Sequence, residues 1–263
     1  MQENSALGRS MAMVRDLRLR CAWDRVQTRD TLRPYLVEEV HELDQALGSG
    51  DPAAIRSEVA DLLLHLAWQL VLAEERREFT PDDAAGDLEA KMKRRHPHLF
   101  EWGPQEKWET LKRKERRQDV SRAGGPGVLE GLPPTLPDLL MAFRLQERAA
   151  GVGFDWPDSA GPAAKVREEL EEVEAELGAG ARSDERLDHE IGDLLFSVVN
   201  LARKAGVHPG PALSRANARF RLRFGVVERL AEERGIGLHT AGLEVLDRLW
   251  DEVKAKSAGE SPA

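Results

Sequence analysis

The sequence has a single cysteine, Cys21, in 263 residues. An intrachain disulfide and a zinc site built on cysteine pairs are therefore excluded. Aromatic residues are scarce, at 5%, and tyrosine occurs once. With no sustained two-residue alternation and no Asn-Gly turn, the signals of strands and hairpins are nearly absent. Long apolar runs are missing as well. The longest, Leu62 to Ala73, covers about 12 residues and carries His65 and Gln69, which is too short for a membrane span. The opening MQENSALGRSMAMVRDLRLR lacks the apolar stretch of a secretory signal. Positive charge is in deficit: 38 Lys and Arg against 47 Asp and Glu leave a net charge of −9. That balance argues against broad nucleic-acid binding, which depends on neutralising phosphates. It leaves room for a small anionic substrate held by local cations or a metal. Together these absences predict a soluble, cytoplasmic protein with neither a membrane nor a nucleic-acid partner.

What is present is helix. Hydrophobic residues make up 41% of the chain, enough for one large domain or two small ones and too much for disorder throughout. Leu32, Leu36, Val40, Leu43 and Leu47 recur at helical spacing, as do Val166, Leu170, Val173 and Leu177. Gly48 and Gly178 stand where glycines would end these helices. Asp51-Pro52 and Thr80-Pro81 read as N-caps followed by proline at the first helical position. The fold class predicted is all-α.

The run SRAGGPGVLEGLPPTLP, residues 121–137, is crowded with glycine and proline and follows the highly charged helical pattern ETLKRKERRQDVSR. It marks a boundary, with a domain at 1–120, a linker at 121–135 and a second domain at 136–263. The two halves repeat one another. Glu38-Glu39-Val40-His41-Glu42 and Glu58-Val59-Ala60-Asp61 reappear as Glu168-Glu169-Leu170-Glu171-Glu172 and Glu190-Ile191-Gly192-Asp193, 130 and 132 residues later. Lys91 and Arg95 match Arg219 and Arg223, and Trp108-x-x-x-Lys112 matches Trp250-x-x-x-Lys254.

Glu168, Glu169 and Glu172 are three and four residues apart, so they can share one helix edge, and Glu190 and Asp193 share a face of the next helix. If the two helices pack antiparallel, the carboxylates converge. Such a cluster is repulsive unless a cation compensates it, and an all-oxygen ligand set suits Mg²⁺ or Mn²⁺ rather than zinc. The plainer alternative is a solvated acidic face. The duplication weighs against it, as do the apolar runs that follow each Glu-x-x-Asp, LLLHLAWQLVLA and LLFSVVNLA. These predict buried helices, at whose heads unpaired carboxylates are costly. Di-iron bundles use two Glu-x-x-His motifs, and this chain has one, Glu38 to His41, with Glu171 at the matching position. Carboxylates with cations nearby suit phosphate chemistry, with Arg219, Arg223 and Lys254 as the cations. Trp250, one turn from Lys254, holds either a base or ribose or a place in the core. His65 reads as a satisfied core histidine, His96 and His98 as shaping a helix end, and Cys21 as no nucleophile.

The ordered set RLRCAWDRVQT, PYLVEEVHELDQAL, RRHPHLF, VGFDW, KVREELEEV, EIGDLLFSVVNLAR and ANARFRLRF with Trp250-x-x-x-Lys254 resembles the all-α nucleoside triphosphate pyrophosphohydrolases, in the tandem two-domain form of the MazG family. The resemblance runs from about Leu17 to Lys256. It implies Mg²⁺-dependent cleavage of an NTP or dNTP to the monophosphate and pyrophosphate, nucleotide-pool housekeeping, and a homodimer. It implies Glu169, Glu172, Glu190 and Asp193 as metal ligands, with Glu168 beside them orienting water. It also implies nucleotide contacts from Lys165, Arg219, Arg223, Trp250 and Lys254. Position 219 is often lysine in the family, and arginine here keeps the charge but changes its geometry. Glu39, Glu42, Glu58 and Asp61 would form a second metal site. Lys165 has Tyr35 as its first-half equivalent, and Asn217 has Glu89, so the second half is the expected catalytic one. The alternatives are a relative restricted to one dNTP or to phosphoribosyl-ATP, and a non-catalytic helical dimerisation or regulatory module whose metal is structural.

Overall fold

A computed structural model describes residues 5–100, 127–178 and 183–259. The charged segment 109–122, with Trp108 and Lys112, lies outside the described residues. The chain divides into two compact units, Met1–Glu106 and Lys107–Ala263. The fold class is all-α, as the sequence predicts, with no strand among the described residues.

In the first unit, α1 (Ala6–Arg20), the short α2 (Ala22–Arg25), α3 (Arg29–Ser49) and α4 (Pro52–Glu75) form the body, followed by α5 (Pro81–Arg95) and α6 (Pro97–Phe100). Starts are set by side-chain caps. Ser5 accepts from the Gly8 amide, Thr28 and Thr31 form a reciprocal box, and Asp51 accepts from the Ala53 amide ahead of Pro52. Thr80 and Asp83 repeat the box before Pro81. The end of α3 corrects the sequence reading. Gly48 is still helical, and Gly50 takes the left-handed conformation at φ +72° and closes the helix. His96 closes α5, its Nδ1 lying 2.8 Å from the Met92 carbonyl, which is the helix-end role expected for it. α1 and α3 pack on α4, and Met11, Val14, Leu32, Trp68, Val71 and Leu72 make the core. His65 is buried there as expected, but its Nδ1 finds no hydrogen-bond partner among the described residues.

In the second unit, α7 (Asp138–Ala150), α8 (Ala160–Gly178), α9 (Asp184–Lys204), α10 (Pro209–Glu233) and α11 (Leu243–Gly259) follow in order. Gly178 is the last helical residue of α8 rather than a cap beyond it. α8 lies along α9, α7 packs on α9 and α10, and α10 pairs with α11 around Val227, Ala231, Leu249 and Val253. The expectation that α9 is buried on all sides does not hold within one chain. Ser197 and Val199 are inside, but Ile191, Leu195 and Val198 are exposed, as are Leu170 and Leu177 of α8. α4 behaves similarly, with Leu66 exposed. The unit therefore carries an apolar face that it does not itself cover.

Candidate active site

Helical geometry places Glu168, Glu169 and Glu172 close together on α8, but only Glu169 turns fully inward. Glu169 is buried, with 3% of its surface exposed. Its neighbour Glu168 projects outward and pairs with Lys165 at 2.9 Å. One carboxylate oxygen of Glu169 accepts from the same Lys165 ammonium at 2.6 Å, and the other, Oε2, is buried without a hydrogen-bond partner among the described residues. Carboxylate oxygens of Glu169, Glu190 and Asp193 all lie within 4.8 Å of one another, across α8 and α9. Glu172 stands outside that triple, three residues along α8 from Glu169. Lost hydration, then the charges of Glu169 and Glu190, push its carboxyl above the ordinary range. The sequence placed five carboxylates together. The structure brings three into one ligand-sized cluster, leaves Glu172 on its edge, and ties Glu168 to Lys165.

The first unit repeats the arrangement. Oxygens of Glu39, Glu42 and Glu58 lie within 4.8 Å of one another. Asp61 contributes charge, raising Glu39 and Glu58 after the larger effect of lost hydration. The charge of Glu42 adds to the same upward shift at Glu58.

A hard divalent cation fits both clusters. The donors are all oxygen, the carboxylates repel one another, and Glu169 presents an unpaired buried oxygen. The pH dependence follows from the raised carboxyls. A carboxyl whose pKa is higher in the folded state than in the unfolded one stabilises the fold when protonated, and that contribution is lost as pH rises. Without metal, the melting temperature is expected to fall from about pH 4.5, the ordinary glutamate value, toward neutrality. The gain in melting temperature on adding Mg²⁺ is expected to grow over the same range. Asp83, Asp155 and Glu252 are pulled below the usual carboxylate range by their hydrogen bonds, so they act at lower pH and do not mask the effect. Thermal melts with Mg²⁺ or EDTA across that window check it. A gain that is flat with pH would contradict the charge-repulsion account.

The second-unit cluster opens into a cavity of about 830 Å³, lined by Lys165, Glu169 and Asp193 at one part and by Gln146, Phe154 and Trp156 at another. Arg219, Arg223, Trp250 and Lys254 are not part of that lining. Trp250 packs against the α10–α11 core with its ring 5.2 Å from that of Phe220, which is the core alternative weighed for it. Lys254 pairs with Asp251 at 2.7 Å. Sequence reasoning missed Gln146, Phe154 and Trp156 as wall residues. It also missed His189, whose Nε2 lies 3.5 Å from the Asp193 carboxylate one turn away. The four-residue His–Asp spacing was the available signal for the last of these.

Comparison with known proteins gives concordant matches. The profile of the MazG nucleotide pyrophosphohydrolase domain matches residues 27–100. A Thermotoga maritima protein named nucleoside triphosphate pyrophosphohydrolase/pyrophosphatase MazG is 39% identical over 244 residues, covering 92% of this chain and 91% of the relative. An Escherichia coli K12 nucleoside triphosphate pyrophosphohydrolase is 36% identical over 251 residues, covering 93% and 94%. A Mycobacterium tuberculosis protein of the same name is 30% identical over 161 residues, 58% of this chain and 47% of that one.

Proposed function

Because this chain belongs to the MazG family, we propose that it is a Mg²⁺-dependent nucleoside triphosphate pyrophosphohydrolase, releasing pyrophosphate and a nucleoside monophosphate. The observation that carries the reading is the carboxylate cluster of Glu169, Glu190 and Asp193 opening into a cavity large enough for a nucleotide. Glu169, Glu190 and Asp193 would hold the metal, with Glu172 at its edge. When bound, Mg²⁺ (or Mn²⁺) supplies charge neutralisation at the phosphates and a more acidic water. Lys165 already sits on this cluster. With Glu169 engaged as a ligand, the Lys165 ammonium would be free to donate to a phosphate oxygen, where a charge-assisted hydrogen bond is strong. Glu168, next to the ligand Glu169 along α8, would orient the attacking water. Positioning and electrostatics then perform most of the catalysis.

The same reading extends to the rest of the chain. The chain carries tandem MazG-like domains at 1–120 and 136–263, with 121–135 as the linker between them and Glu39, Glu42, Glu58 and Asp61 as a second metal site. The outward apolar face of Leu170, Leu177, Ile191, Leu195 and Val198 supports a homodimer. Arg219, Arg223 and Lys254 would reach the phosphates from α10 and α11, with Trp250 packed behind them in the core. The role is nucleotide-pool housekeeping in the cytoplasm. Among the described residues no helix is long and apolar enough to cross a membrane.

The test is a panel of ribo- and deoxyribonucleoside triphosphates incubated with the full chain and Mg²⁺. Pyrophosphate and monophosphate are expected in equal amounts, with nothing released in EDTA. Turnover of one nucleotide alone would favour the narrow-substrate alternative. No turnover of any would leave the metal-binding module.

A further inference from the structure

The VGFDW segment lies outside the carboxylate machinery, yet the chain fixes it with unusual care. Gly153 sits at φ +93°, a conformation that side-chain-bearing residues rarely adopt. Past that turn, Asp155 is held by Arg203 at 2.5 Å and by Lys204 at 3.3 Å. The Lys204 ammonium also donates to the Trp156 carbonyl at 2.6 Å. The indole of Trp156 rests on Gly161, where any Cβ would collide with the ring. Despite this anchoring, the rings face solvent and the cavity. Phe154 is 82% exposed and Trp156 46%, and both line the cavity that holds Glu169 and Asp193. A Trp156 ring seated on Gly161 and a Phe154 ring left uncovered beside the anchored Asp155 form a stacking platform.

Another residue of the cavity lining carries a second, independent signal. Gln146 of α7 is buried, and its Nε2 donates to the Phe196 carbonyl at 2.8 Å. A carbonyl can only accept, so the amide orientation is fixed. Its Oε1 is therefore a fixed acceptor. It has no hydrogen-bond partner among the described residues, and the residue lines the cavity. A buried acceptor left unpaired is costly. Phe196 stands three residues after the proposed ligand Asp193 on α9, about 4.5 Å along the helix. Platform, acceptor and carboxylates thus share one cavity.

We propose that this part of the cavity is the nucleobase subsite, with Phe154 and Trp156 stacking on the base and Gln146 Oε1 accepting a hydrogen bond from a base N–H. Adenine, guanine, cytosine, uracil and thymine all carry an N–H on their pairing edge. A single fixed acceptor therefore serves every common base, and the subsite tolerates the whole set while rejecting a base without that donor. The proposal rests on the reading that the cavity binds a nucleotide, but its test does not rest on turnover.

The experiment is titration calorimetry of the full chain with Mg²⁺. The probes are two hydrolysis-resistant α,β-methylene triphosphates, of adenosine and of the purine riboside that lacks the 6-amino group. Wild type is expected to bind the second at least tenfold more weakly, since it strands the buried acceptor. In Gln146→Met that ratio falls to about one. Phe154→Ala, at an exposed position that does not threaten folding, is expected to weaken both nucleotides by about tenfold or more. Equal binding of the two by wild type, no binding of either, or an unchanged ratio in a folded Gln146→Met overturns the proposal. So does a Phe154→Ala variant that binds both like wild type. Binding that behaves as expected without pyrophosphate release would instead overturn the reaction assigned above.

Discussion

Asp193→Ala is expected to lower pyrophosphate release on the order of 10²–10³-fold, as loss of one preorganised electrostatic group typically does. The aspartate is one of three residues whose carboxylate oxygens lie within 4.8 Å of one another. Its side chain is half exposed, so truncation leaves no large cavity and the helices are expected to persist. The variant should even melt higher than wild type in the absence of metal, because one of the mutually repelling charges is gone. Adding Mg²⁺ should then stabilise it less than it stabilises wild type. Steady-state kinetics and paired melts with and without Mg²⁺ measure both effects. Near-normal turnover would remove Asp193 from the metal site. A lower metal-free melting temperature would show that the residue is structural. Glu172→Ala provides the comparison. Glu172 lies at the edge of the cluster, where the charges of Glu169 and Glu190 act on it. It should lose activity as well, through the geometry of Glu169.

The second large effect separates the two halves. Glu169→Ala/Glu172→Ala is expected to remove nearly all activity, whereas Glu39→Ala/Glu42→Ala should keep most of it. Both units form a carboxylate cluster, so the acids alone do not decide. The cation does. Lys165 touches both Glu168 and Glu169, and their hydrogen bonds hold it charged. Tyr35 at the matching position of the first half brings no charge. The surroundings differ too. The second cluster lines the cavity that also contains Gln146 and Trp156. The cavity described in the first unit is lined by Arg15, Arg18, Arg25, Glu74 and Glu75. Two of those arginines are paired with Glu74 and Glu75 at 2.5 and 2.6 Å. The family profile matches the first unit, but its acidic pattern is one that both halves retain. If the first double variant abolished pyrophosphate release while the second left it intact, the catalytic half would have to be reassigned.

The sequence by itself determined what is local or repeated. Helix starts at Asp51-Pro52 and Thr80-Pro81 were legible because a cap acts within three residues. The duplicated Glu-Glu-x-x-Glu and Glu-x-x-Asp motifs were legible because helical spacing alone puts them on shared edges. They fold as expected onto neighbouring helices, α3 with α4 and α8 with α9. Spacing could not say which carboxylate turns inward. That depends on the rotation of α8 against α9, which buries Glu169 and leaves Glu168 in water beside Lys165. Nor could it show that α9 keeps Ile191, Leu195 and Val198 uncovered, because an apolar run records only that a face is to be covered, not by which chain. Gln146 carried no motif at all. It became a candidate only when packing of α7 on α9 joined its amide nitrogen to Phe196 and left its oxygen unpaired. A hydrogen bond left unmade is a property of three-dimensional neighbours, and no one-dimensional pattern encodes it.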